Sequence, residues 1–219
     1  MGRHLLASAL ALALCLPLAA RAGDGDIDKV NGTARVEAGE HAGNVSTVNG
    51  AVRVGDNAVV REASTVNGAI ELGTHVQADS LGTVNGSVTV GADGRVRGKI
   101  EAVNGAIRLG RNVDVGGRVS NVNGAIALDA SHVAGGLGTV GGDIDVGEGS
   151  HVEGGILVDR PGGWFHFGDS RPPHIVIGPH AVVQGTLEFR REVVLEVSDS
   201  AQIGKVVGAT PVKFSGERP

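Results

Sequence analysis

The chain has 219 residues with 37 glycines, four Phe, one Trp, no Tyr and one Cys, and a formal charge of −5 at pH 7. An acidic chain this poor in aromatic residues lacks the basic patches and stacking rings of a nucleic-acid binder, so nucleic acid is not expected as a partner. One cysteine allows neither an internal disulfide framework nor a thiolate metal centre.

Arg3 and His4 precede an almost unbroken apolar run from Leu5 to Ala20, followed by Ala20-Arg21-Ala22. This is the pattern of a secretory signal with a small-residue cleavage site, assigned to residues 1–22. The run falls short of the roughly 20 residues that a spanning helix needs. Cys15 follows Leu14 rather than the small residue of a lipid-attachment site, so it reads as an ordinary part of the signal. The mature chain is expected to start at Gly23, to lie in the periplasm or outside the cell, and to contain no cysteine.

From about Asp26 to Val158 the chain repeats. Val-Asn-Gly places Asn at 31, 49, 67, 85, 104 and 123, with a variant Val140-Gly141-Gly142, at steps of 18 or 19 residues. After each motif comes an apolar pair two residues apart, such as Val52/Val54, Ile70/Leu72, Val88/Val90 and Ile107/Leu109. That alternation sets both members on one face of a strand. A Gly follows most pairs, where a turn belongs. Eighteen residues is too short for a strand with a crossover helix, and no segment of the mature chain keeps a 3.6-residue apolar period. Three short strands joined by tight turns fit one winding of a triangular coil, stacked at roughly 4.8 Å per winding. The predicted fold is therefore all-β: a single-stranded parallel β-helix, a solenoid of about 18-residue windings, with right-handedness favoured.

Asn-Gly elsewhere is the strongest signal for a type I′ hairpin. A meander of hairpins gives no reason for the fixed period, so a coil is preferred. In a coil, Asn31, Asn49, Asn67, Asn85, Asn104 and Asn123 stack one winding apart and can bond along the axis as amide ladders do. The following Gly either permits a corner or leaves room inside for its β-branched neighbours. Both roles are structural.

The pattern breaks at residues 159–173, which carry Trp164, Phe165, His166 and Phe167 between Arg160 and Arg171. Two readings stand: an aromatic flap packed on the coil, which is favoured because such rings are buried more often than displayed, or a contact surface for a sugar or a partner chain. Coil pattern resumes over 174–208, and 209–219 reads as a tail.

The units Val54-Gly55-Asp56-Asn57-Ala58-Val59 and Ile177-Gly178-Pro179-His180-Ala181-Val182 resemble the hexapeptide repeats of left-handed β-helix acyltransferases. Large residues such as Ile70 and Ile107 stand where that family carries small ones. The segments from Ile175 to Leu187 and from Ala201 to Gly208 more closely resemble the bactofilins, polymer-forming bacterial cytoskeletal proteins with a right-handed triangular β-helix. That family is typically cytoplasmic and lacks a signal peptide, so its cytoskeletal role does not transfer.

The windings are too short to wall a cleft. His41, His75, His132 and His151 fall at differing offsets near turns with no evident partner, and a catalytic base needs an orienting group in reach. The spacings of His166, His174 and His180 match no standard metal site. No catalytic, cofactor-binding or metal residue is assigned, and no cofactor is expected. The expectation is a non-enzymatic structural protein of the bacterial envelope that associates with itself through the coil ends. An adhesin binding an envelope polysaccharide or protein is the alternative, and a β-helix acyltransferase or polysaccharide lyase comes third.

Overall fold

The computed structural model describes residues 25–161 and 171–219. Every strand pairing in it is parallel, which excludes hairpins at Asn-Gly, and no helix occurs among the described residues. The apolar pairs that follow the six Asn-Gly motifs lie on one face, a sheet of ten strands from Ala34–Val36 to Val212–Phe214. Each pairs with its equivalent one winding away, as in Val52↔Ile70↔Val88↔Ile107. Ten windings at the usual strand spacing make a coil roughly 45 Å long.

The other two faces form one 16-stranded sheet. In the early windings, the nine-residue strands His41–Asn49, Val59–Asn67 and Gln77–Asn85 run round the corner between these faces without a break. Later windings split there into Arg95–Val96 with Ile100–Asn104, then Asp114–Val115 with Val119–Ser120. The change begins at Gly98, the added residue of the first 19-residue step: Ala78 pairs with Val96 at 18, whereas Leu81 pairs with Ile100 at 19.

Alternation along each strand sends every second residue inward. Ile70, Ile107, Ile126, Ile144 and Ile175 form one fully buried column. Leu81, Ile100, Val119, Leu137, Ile156 and Leu187 form another. Each such side chain contributes about 1.5–3 kcal/mol on burial, so stability is spread evenly along the stack rather than held in one centre.

Two corners are fixed by backbone chemistry. After the apolar pair, a turn places Asn57, His75, Asp93, Asn112, Ala130 and His180 at positive φ, as Gly39 and Gly149 are in their windings. Asn, Asp and His are the non-glycine types that tolerate this left-handed region best. His75 and His180 are thus turn residues. At the Asn-Gly corner the glycine serves a different need. A Cβ on Gly68, Gly86 or Gly105 would land on the carbonyl of the glycine one winding before, although φ at these three is not positive. At these three the space is required along the axis between stacked backbones, whereas Gly32 and Gly124, with φ of +94° and +114°, supply the dihedral of a corner.

The C-terminal boundary differs from the sequence expectation. Residues 209–219 are not all tail, because Val212–Phe214 adds a tenth strand to the second face: Glu196 pairs with Val212 and Ser198 with Phe214.

Candidate functional site

The Asn residues occupy one edge of the coil in a continuous ladder. Asn49 Nδ2 donates to Asn31 Oδ1 at 3.2 Å, Asn67 to Asn49 at 3.0 Å, and Asn85 to Asn67 at 2.9 Å. Asn104 continues it to Asn85 at 3.1 Å, and Asn123 to Asn104 at 3.0 Å. The ladder stops where Gly141 replaces Asn. Beneath it runs a second, buried series that sequence reasoning missed. Thr47, Thr65 and Thr83 donate their hydroxyls to the carbonyls of Gly32, Gly50 and Gly68. The signal was present as Ser/Gly-Thr-Val-Asn-Gly in three successive units. These threonines are at most 5% exposed, so each bond satisfies a hydroxyl that would otherwise be buried unpaired.

Val48, Val66, Val84, Val103, Val122 and Val140 follow the buried positions Thr47, Thr65, Thr83, Ala102, Asn121 and Thr139 and lie half-buried on the outside of the same face, whereas Val30 in the first winding is 67% exposed. Together with the Asn ladder they make a uniform outer stripe, while the neighbouring outward columns vary. Along the second face, for example, Arg35, Arg53, Glu71 and Thr89 succeed one another.

The histidines require a correction. His41, His132 and His151 lie in one column, through Val59, Gln77, Arg95 and Asp114. The 19-residue steps concealed this common phase. His132 has two partners: Nδ1 meets Asp114 Oδ1 at 2.8 Å and Nε2 meets Glu153 Oε1 at 3.0 Å. The hydrogen bond to Asp114, with a further one to Glu153, raises its pKa despite some burial. Arg95 Nε reaches Asp114 Oδ2 at 3.1 Å, so the column reads Arg, Asp, His with Glu beside it. His151 stacks edge-on to His132 at 5.6 Å, with its Nε2 buried and unbonded.

A second polar group borders the excursion on the second face. Arg171 binds both oxygens of Asp143, and the His174 N–H donates to Asp143 Oδ1 at 2.9 Å. Burial raises the Asp143 pKa, but these bonds outweigh it and the net shift is downward. Burial raises that of Asp145, opposed by Arg218 and His174. His174 Nε2 bonds Glu196. On the other side of the break, Arg190 pairs with Asp159 at 3.4 Å and Glu188 at 2.8 Å. The two edges of the excursion are therefore pinned by ion pairs, while Trp164, Phe165, His166 and Phe167 lie outside the described residues. Among the described residues, no three His, Cys, Asp or Glu side chains come together as a metal site.

At the C-terminal end, the last strands of the sheets among the described residues are Gln202–Ile203, Val206–Val207 and Val212–Phe214. The inward Ile203 and Val206 are only half-buried, whereas Val183 and Leu187 one winding earlier are fully buried. Val207 is 41% and Val212 59% exposed. On the second face the inward column ends differently, because Lys213 follows Val197. No protein-family model, curated protein or solved structure matches this chain.

Proposed function

We propose that the protein is a non-enzymatic structural element of the bacterial envelope that associates with itself through the ends of its coil. The observation that carries this reading is the last winding, where Ile203 and Val206 remain half-buried at the end of core columns and no strand among the described residues pairs beyond them. An uncovered parallel edge is a template for another chain. Support for the envelope comes from the N-terminal apolar run and Ala20-Arg21-Ala22. The resemblance to bactofilins enters on the same footing, supported by the parallel coil alone. Sedimentation velocity and negative-stain microscopy of residues 23–219 test the proposal. Assembly should grow with concentration, and Ile203→Lys should reduce it while the far-UV circular dichroism stays β-type. A wild-type chain that stays monomeric at every concentration overturns it.

One observation favours a second reading. The uniform Val–Asn stripe is a flat, axially periodic surface of the kind an adhesin could lay along an envelope polysaccharide. Retention of monomeric protein on purified cell-wall polysaccharide, lost when Val66 and Val84 are replaced by Lys, would replace the first reading with this one.

A further inference from the structure

We infer that the joint between copies is head-to-tail, with its direction set by Lys205 of one copy against Asp26 of the next; this rests on the self-association proposed above. The columns run the whole length of the coil, so the two ends can be matched position by position. One inward column begins at Ile27 and ends at Val206. Just before these residues stand Asp26 and Lys205, in one outward column that contains Asn44, Glu62 and Ser80. A second copy placed one strand spacing beyond the last winding, in the same register, sets Ile27 on Val206 and Asp26 beside Lys205. On the second face it sets Val36 over Lys213 and Glu37 over Phe214, since Val36 and Val197 share a column.

The charges fit this arrangement. Asp26 is fixed on the first winding because its Oδ1 accepts from the Asn44 N–H at 2.7 Å and from Arg61 at 3.3 Å. Its Oδ2 takes no hydrogen bond among the described residues. Lys205 is exposed at the other end. Lys213 Nζ donates to the Ser198 carbonyl of its own copy at 3.4 Å; at the joint its methylene stem can lie over Val36 and its ammonium turn to Glu37 at the corner, the usual way a lysine covers apolar surface. The reverse arrangements set like net charge against like: the first winding carries Asp26, Asp28, Glu37 and Glu40 against Lys29 and Arg35, and the chain from Gln202 onward carries Lys205, Lys213 and Arg218 against Glu217. Such juxtapositions are strongly disfavoured at an interface. A head-to-tail contact is heterologous and does not close, so it propagates into filaments.

The test uses residues 23–219 as wild type, as a tail variant (Lys205→Glu with Lys213→Glu), as a head variant (Asp26→Lys with Glu37→Lys), and as the combination of all four changes. Circular dichroism and melting confirm that each is folded, and sedimentation velocity reads the assembly midpoint. The tail variant and the head variant should each need at least about ten-fold more protein to assemble, and the combined variant should return to the wild-type midpoint. Both reversed variants assembling like the wild type would overturn the head-to-tail joint while leaving self-association intact. If the head variant fails to fold, salt decides: assembly of the wild type should weaken from low salt to about 1 M, where the screening length falls to roughly 3 Å, and insensitivity to salt overturns the charge pairing. A wild type that never assembles removes the underlying reading and this inference together.

Discussion

Replacing Asn85 by Ala removes two ladder bonds, the one it donates to Asn67 at 2.9 Å and the one it accepts from Asn104 at 3.1 Å. An intramolecular hydrogen bond contributes about 0.5–1.5 kcal/mol net. The ladder is exposed, so water re-solvates the orphaned amides and the lower half of that range applies. The loss should be about 1–2 kcal/mol. Asn31 makes a single ladder bond, from Asn49, so Asn31→Ala should lose about half as much. Asn85→Asp should cost more than Asn85→Ala at neutral pH, because a carboxylate cannot donate to Asn67 Oδ1 and sets two acceptors against each other. Urea titration followed by circular dichroism measures each difference. Asn85→Ala within about 0.3 kcal/mol of wild type, or an Asn31→Ala as costly as Asn85→Ala, would refute the ladder as a source of stability.

Gly86→Ala should destabilise by about 1–3 kcal/mol or more, read by urea titration, because its Cβ meets the Gly68 carbonyl, which Thr83 and the ladder hold in place. Ala130 has φ of +43° where most windings place Asn, His, Asp or Gly, so Ala130→Asn should raise stability by about 0.5–1 kcal/mol in the same assay. The His132 imidazole should titrate above the ordinary histidine range by NMR, and Asp114→Asn should bring it down. Because the folded-state value is the raised one, the stabilisation from His132 is complete below about pH 6.5 and is lost as pH rises through the folded value.

Inward positions were legible because burial imposes a period that chemistry on the outside does not. Ile70/Leu72 and Ile107/Leu109 stand out in the sequence as alternating pairs and lie in the core. The column of His41, Asp114, His132 and His151 was hidden by phase. One added residue at Gly98 and a turn shortened at Asp129-Ala130-Ser131 shift its members off any single spacing, although backbone pairing keeps them aligned. Lys213 was hidden for a similar reason. Val212-Lys213-Phe214 has too little alternating pattern to announce a strand, and its register is set by pairing to Glu196, Val197 and Ser198.

The polar contacts on the outside of the coil bear on what the chain does. Stacking brings unlike residues into contact whenever a column changes identity, so ion pairs such as Arg53–Glu71 and Arg95–Asp114 arise as axial ties between windings. His132 belongs to this class. A general base needs one imidazole nitrogen free to take a proton from substrate, yet both nitrogens of His132 are engaged by carboxylates, and the raised pKa that results favours the cation. The group is a bridge across three windings. The Asp143–Arg171 pair likewise ties the end of the excursion to the coil. The titratable clusters on the described surface thus spend most of their bonding capacity on neighbouring windings, as the structural role proposed above requires, with the buried, unbonded Nε2 of His151 as an exception.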